Sequence, residues 1–251
     1  MRGMRGTELT QVGDDYRRRL REILSELEVA HESVHQAIAQ VAGPIRLSAP
    51  VGFGVDHLVP VLAEFLTAHP GIEIDLVLED RRVDLLAERF DLVLRIGDLQ
   101  DSSLVARRLA PVQAVVVASP DYLARQGRPE HPRDLIHHHA LLYAPFGIAV
   151  EWRFKVDDRW ERAPVDGRFR ANNGKAICEM ALAGLGIAVL PVFVASPPLA
   201  EGKLEAVLTN WPPIEYGLYA VMPPSRAATA RIRALVDHLV SSFRQWPGQE
   251  G

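Results

Sequence analysis

Between residues 14 and 41 apolar side chains recur at alternating steps of four and three. Tyr16, Ile23, Ala30 and Ala37 fall on one position of a heptad, and Leu20, Leu27, Val34 and Val41 on the other. This is the narrow seam of a two-helix coiled coil, thinner than the stripe of a helix laid on a globular core. Thr10 is the expected N-cap, Asp14 and Asp15 favour the positive helix end, and Gly43-Pro44 stops the helix. From Gln11 to Ala42 it would run about 48 Å. The same stripe also fits a helix resting on its own domain. Its length and the small alanines favour dimerisation through Tyr16, Leu20, Ile23, Leu27, Ala30 and Val34.

After Pro44 the pattern changes to alternating strands and helices. Ile45–Ala49 reads as a strand, Gly52 and Gly54 as a turn, and Val55–Ala68 as a helix with Leu58, Val59, Leu62, Phe65 and Leu66 on one side. Ile72, Ile74, Leu76 and Leu78 alternate with Glu73, Asp75, Val77 and Glu79, the period of a strand. A short helix over Val83–Arg89 and a buried strand over Asp91–Ile96 complete a β-α-β-α-β run, which predicts a parallel sheet with crossover helices. A second series follows. Gln113–Ala118, Ala140–Tyr143, Ile187–Leu190, Leu204–Leu208 and Leu218–Val221 read as strands. Pro120–Gln126, Pro132–Ile136, Lys175–Ala183 and Ala227–Phe243 read as helices, and extended chain surrounds a turn at Asp157-Asp158.

Composition agrees with a folded α/β chain. Of 251 residues 48% are hydrophobic and 24% charged, which excludes disorder as the main state. The net charge of −4 excludes a surface basic all over, the mark of a compact nucleic-acid binder. A single cysteine, Cys178, excludes an intramolecular disulfide framework and a cysteine-cluster zinc site, and fits a reducing compartment. No secretory leader or membrane-spanning run is read, so a cytoplasmic location is expected. Catalytic constellations are missing as well. There is no G-x-S-x-G elbow, no H-E-x-x-H pair and no phosphate-binding loop. Adjacent residues His137, His138 and His139 cannot share one face, and Cys178 lies among apolar neighbours. The expectation is a protein that is not an enzyme, with no cofactor and no metal.

Several runs together carry a resemblance. Asp91-Leu-Val-Leu-Arg-Ile-Gly97, Ser102-Ser-Leu-Val-Ala-Arg-Arg-Leu-Ala-Pro111, Ala118-Ser-Pro-Asp-Tyr-Leu123, Glu151-Trp-Arg-Phe154, Ala171-Asn-Asn-Gly174 and Ala183-Gly-Leu-Gly-Ile-Ala-Val-Leu-Pro191 occur in this order and spacing. Over about residues 7 to 245 the chain resembles a LysR-type transcriptional regulator. The resemblance implies two Rossmann-like α/β subdomains of the type 2 periplasmic-binding-protein kind, preceded by a long coiled-coil linker helix. It divides the chain into 1–43 (the end of a DNA-binding head plus the linker), 44–111 with 223–246 (subdomain I), and 112–222 (subdomain II). The family's winged helix-turn-helix head would precede Thr7, and no such pattern is read in this sequence. A start codon set too late is the preferred account, ahead of a cut chain or a natural headless product.

Site residues follow from both readings. Val51, Gly52 and Phe53 follow the first strand and open a helix, a place suited to an anion. By the resemblance, Arg81 occupies a ligand-facing position, where a guanidinium would pair with a carboxylate. Arg95 is expected either to point into the cleft or to pair with Asp98. Tyr143, Pro145 and Phe146 would form an aromatic wall. Asn172 or Asn173 would cap a helix while the other meets a ligand oxygen, and Phe193 would line the pocket or belong to the core. The expected partners are a small organic anion held between the subdomains, a second or further copies of the chain, and DNA only through a head. A headless solute-binding sensor, or a partner that poisons longer regulators through mixed dimers, is the alternative.

Overall fold

The computed structural model describes residues 10–35, 41–81, 83–97, 103–144, 151–244 and 246, without the side chains of 27–35 and 168. The first helix covers Gln11–His35. Thr10 caps it, its Oγ1 accepting from the Gly13 amide at 3.2 Å, and Asp14 pairs with Arg17 at 2.8 Å. Tyr16, Leu20 and Ile23 are 65, 39 and 60% exposed. The chain's own domains therefore leave the first part of the seam open. The side chains of Leu27, Ala30 and Val34, and residue Ala37, lie outside the described residues.

Among the described residues twelve strands follow: β1 (Gly43–Ala49), β2 (Ile72–Leu78), β3 (Leu92–Gly97), β4 (Val105–Val112), β5 (Ala114–Ala118), β6 (His139–Tyr143), β7 (Trp152–Val156), β8 (Arg159–Ala163), β9 (Asp166–Ala171), β10 (Ile187–Pro191), β11 (Glu205–Val207) and β12 (Tyr216–Met222). They build two five-stranded sheets, ordered β2-β1-β3-β12-β4 and β11-β5-β10-β6-β9, and the hairpin β7-β8. β2, β1 and β3 are parallel, while β12 runs antiparallel between β3 and β4. In the second sheet β6 is parallel to β10 and β9, and β5 is antiparallel to β10 and β11. The three strands of the β-α-β-α-β run are thus parallel as their alternation predicted, and the antiparallel β12, β4, β5 and β11 make both sheets mixed. The chain crosses from the first sheet to the second at Gln113 and is back by Tyr216. β12 therefore lies wholly in the first unit, ahead of the return at Met222 drawn from the sequence.

Each sheet is buried by its own helices. Ile45, Leu47, Leu92, Leu94, Leu218 and Ala220 form the inner face of the first sheet, against Leu58, Leu62 and Phe65 of one helix and Ile232, Leu235 and Leu239 of another. Each such leucine or isoleucine contributes about 1.5–3 kcal/mol by leaving water. The second sheet has apolar clusters around Tyr122, Leu142 and Phe154, and around Leu141, Ile177 and Leu190.

Four local readings change. The first helix of the first unit begins at Val51, so Gly52 and Gly54 lie inside it rather than in a turn, and Gly54–Leu58 is a π-helical turn. A Cβ on Gly54 would stand 2.3 Å from Leu78 Cδ2, so this glycine permits close approach to β2. Residues 85–89 form turns, not a helix, and Asp84 Oδ1 accepts from the Leu86 and Ala87 amides at 3.2 and 3.0 Å. Strand β4 and the helix Val192–Ala200 are additional; Pro197 and Pro198 inside that helix hid it. The C-terminal helix breaks at Thr229 into Pro224–Ala227 and Ala230–Phe243. By length and composition the helix Val51–Ala68 could cross a membrane, with mean hydropathy 1.3, but its Phe53, Leu58, Leu62 and Phe65 fill the first core.

Candidate functional site

Two helix N-termini meet between the units. The helix Val51–Ala68 follows β1 directly, with Pro50 at its N-cap and no side chain of its own capping it. Asp80, just beyond β2, supplies the cap: its Oδ1 accepts from the Val51 amide at 3.0 Å. Across the gap, Asn173 caps the helix Gly174–Leu182, its Oδ1 accepting from the Ala176 amide at 3.1 Å. The other end of the same carboxamide donates from Nδ2 to Asp80 Oδ2 at 2.6 Å. One carboxylate and one carboxamide therefore close both helix ends and tie the two units together.

Further contacts flank this bond. Lys175 Nζ pairs with Asp56 Oδ2 at 2.6 Å, and its aliphatic stem lies over Gly52. Phe193, from the second unit's helix Val192–Ala200, packs edge-on to Phe53 at 6.1 Å and to His57 at 5.3 Å between ring centroids. His57 Nδ1 accepts from Trp246 Nε1 at 3.2 Å. Burial holds the His57 imidazole below its ordinary pKa, against an opposing pull from Asp56 and with help from Lys175. The Tyr143 phenol is raised by burial, then by the nearby charge of Asp80 and by Tyr216.

The sequence-selected residues divide accordingly. Val51, Gly52, Tyr143 and Asn173 are gathered around Asp80. Phe53 is a core side chain, 1% exposed, and cannot line a cleft. Phe193 takes the core option, docked on the first unit's core. Arg81 is bound to Glu79 at 2.6 Å and to Glu88, so its charge is satisfied within its own segment. Arg95 donates to the Val83 carbonyl at 2.7 Å. Pro145, Phe146 and Asp98 lie outside the described residues. Reasoning from sequence missed Asp80, Asp56, Lys175, Tyr216 and the His57–Trp246 pair. Asp80 had a usable signal: an acid at a strand end, one parallel strand away from an uncapped helix N-terminus.

The histidine run packs against Tyr122. His138 Nδ1 lies 3.2 Å from the Tyr122 hydroxyl, which also accepts from the His139 amide at 2.9 Å. Among the described residues no three His, Cys, Asp or Glu side chains are grouped to hold an ion. Cys178 is buried, its thiol pushed up to about 11 by desolvation and by Glu179. A shallow depression of about 180 Å³ lies on the second unit by Tyr122, Arg125, His139 and Gly184, where Arg125 donates to the Gly184 carbonyl at 2.7 Å.

Residues 39–244 match the family model described as the LysR substrate binding domain. The chain belongs to the LysR family. An uncharacterised HTH-type transcriptional regulator of Haemophilus influenzae is 34% identical over 226 residues, 90% of this chain and 78% of that protein. The regulator PtxR of Pseudomonas aeruginosa is 33% identical over 91% of this chain and 72% of its own. In three dimensions the chain is similar to CrgA, a LysR-type transcriptional regulator from Neisseria meningitidis, with TM-score 0.71 and 29% identity over 97% of this chain and 83% of that one. The paired α/β units joined by Asp80 and Asn173 are thus a LysR effector-binding domain.

Proposed function

We propose that this LysR-family chain is the sensing and oligomerisation portion of a transcriptional regulator, and that a small organic molecule binds between its two units. Effector binding would reach DNA through a winged-helix head, with no catalytic step, no cofactor and a cytoplasmic setting. The observation that carries this reading is the bridge at Asp80, where two helix N-termini from different units converge on one part-buried polar point. Open α/β sheets take ligands at such carboxyl ends. A ligand that prefers one cleft geometry shifts the population toward it. The exposed Tyr16, Leu20 and Ile23 support dimerisation, as an apolar helix stripe in water calls for a partner helix. The same stripe supports the alternative of mixed dimers with longer regulators of this kind.

The test joins the two parts. Small-angle scattering, with sedimentation on the same sample, reads cleft closure and oligomeric state. A dimer that becomes a monomer on Leu20→Glu plus Ile23→Glu is expected. A ligand from a metabolite panel should change the scattering profile, and its affinity should change on Asn173→Ala. Binding indifferent to Asn173, or a wild-type monomer at micromolar concentration, would overturn the corresponding half.

A further inference from the structure

The polar inventory around Asp80 carries information about what the cleft recognises. Asp80 has two hydrogen-bond partners, the Val51 amide and the Asn173 carboxamide, and both are neutral. Among the described residues it makes no salt bridge. The cations nearby are engaged elsewhere: Lys175 with Asp56, Arg81 with Glu79 and Glu88. The positive end of the helix Val51–Ala68, the feature that would attract an anion, is already filled by this carboxylate. A second anion at that amide would stand beside an unneutralised negative charge, which is unfavourable in a partly buried site. A carboxylate whose hydrogen-bond partners are both neutral is a site for a positive charge.

The closed cleft also shows the shape of the exchange. Asn173 Nδ2 reaches Asp80 as a ligand's nitrogen would, at 2.6 Å. An entering molecule has to replace that donor, since a carboxylate accepts and does not donate. We infer that Asp80 is the anchor of the cleft and that its effector is an organic cation, a small molecule carrying an ammonium or amidinium nitrogen that takes the place of the Asn173 amide. This rests on the cleft being the effector site. It replaces the carboxylate expected from Arg81, whose charge is committed to Glu79 and Glu88, and from Arg95, which donates to the Val83 carbonyl.

Matched probes test it. Tyramine and 4-hydroxyphenylacetate share a ring and differ in the sign of their tail; butylamine and butyrate form an aliphatic pair. Each is titrated calorimetrically into the full chain, the Asp80→Asn variant and the Asn173→Asp variant. Asp80→Asn keeps an oxygen for the Val51 amide, and Asn173→Asp keeps the cap on Ala176, so both should fold, as circular dichroism would check. The expected result is that the amines bind and the acids do not. Asp80→Asn should then cost the amines at least about tenfold in affinity, and Asn173→Asp should improve them, through a second carboxylate and a broken closure. Acids that bind the wild type and weaken on Asn173→Asp would overturn the organic-cation assignment while leaving the cleft as the site. Ligands of either sign whose affinity neither variant changes would overturn the cleft reading itself. Failure of both amines to bind at millimolar concentration would also overturn the assignment.

Discussion

Replacing Asn173 by aspartate changes one atom type at the point where the two units touch. The cap on the helix Gly174–Leu182 survives, because an aspartate oxygen accepts from the Ala176 amide as the present Oδ1 does, and its charge suits a helix N-terminus. The donor to Asp80 is lost. A hydrogen bond to a charged group contributes about 1.5–3 kcal/mol, and two carboxylates about 4 Å apart repel by roughly 4 kcal/mol at the effective dielectric of a partly wet site. The sum, roughly 6 kcal/mol, exceeds the roughly 5.5 kcal/mol that takes a two-state closure from 99:1 to 1:99. The cleft of Asn173→Asp should therefore stand open at pH 7, while Lys175–Asp56 and the Phe193 contact limit how far. Spin labels on exposed sites of the two units, read by pulsed dipolar spectroscopy, should show a longer and broader distance. Acidification, which lets a proton be shared between the carboxylates, should restore the shorter one. An unchanged distance at neutral pH would refute the reasoning, for it would mean that the Asp80–Asn173 bond does not hold the units together.

Other consequences are independent of that bond. His57 accepts from Trp246 only when Nδ1 is unprotonated, and burial lowers its pKa in the fold. The unfolded chain then binds more protons as pH falls below about 6.5, so stability should be full above that value and decline beneath it until the folded imidazole also titrates. A melting series from pH 7.5 to 5 checks this, and His57→Gln should flatten part of the slope; an unaltered slope would clear His57. His138, also lowered chiefly by burial, should account for part of what remains. Gly54→Ala should destabilise by about 1–3 kcal/mol against Leu78, outweighing the roughly 1 kcal/mol that alanine gains in a helix. Leu78→Ala in the same chain should give back part of that loss in urea unfolding. Asp91 accepts from the Arg46 amide at 2.8 Å and from Arg226 Nε at 2.9 Å, with little exposure. Asp91→Ala should cost about 3–5 kcal/mol in urea unfolding, and Asp91→Ala with Arg226→Met appreciably less.

How far the sequence reached can be argued from particular residues. Strands β1 and β10 were legible because most of their apolar residues are buried and Gly or Pro marks their ends, and β2 because apolar and charged residues alternate after Gly71. A cap at Asn172 or Asn173 was legible because Asn before a helical run has a local reason, but which of the two caps was not. The tight turn at Asp157-Asp158 stood out as Asp-Asp between extended segments, and both residues have positive φ. Strand β4 was not legible, since Val105–Arg108 are exposed and only Leu109–Val112 turn inward. Nor were the partners of Arg81 and Arg95. A charge in a sequence has a sign but no direction, and Arg81 meets Glu88 only because residues 84–89 turn back on it. Asp80 was passed over for the same reason: its role depends on β1 and β2 lying side by side, with the Val51 amide one strand away.

The attachment of the helix Gln11–His35 decides which part would move if the two units separated. Ser25 of that helix donates from Oγ to Ser225 Oγ at 2.8 Å, and the next residue, Arg226, is held by Asp91 at the start of β3. The linker is thus tied by its side chains to the first unit, whose sheet contains β3 and β12. The second unit meets the first through Asp80–Asn173, Lys175–Asp56 and the Phe193 ring, besides the chain crossings near residue 113 and between β11 and β12. Breaking the Asp80 bond should therefore swing the second unit against a first unit and linker that travel together. In a dimer joined along Tyr16, Leu20 and Ile23, an effector would then reposition the second units on either side of a fixed seam. A label pair spanning the linker and the second unit should respond to Asn173→Asp, while a pair spanning the linker and the first unit should not. A response confined to the second pair would place the moving joint at Ser25–Ser225 instead.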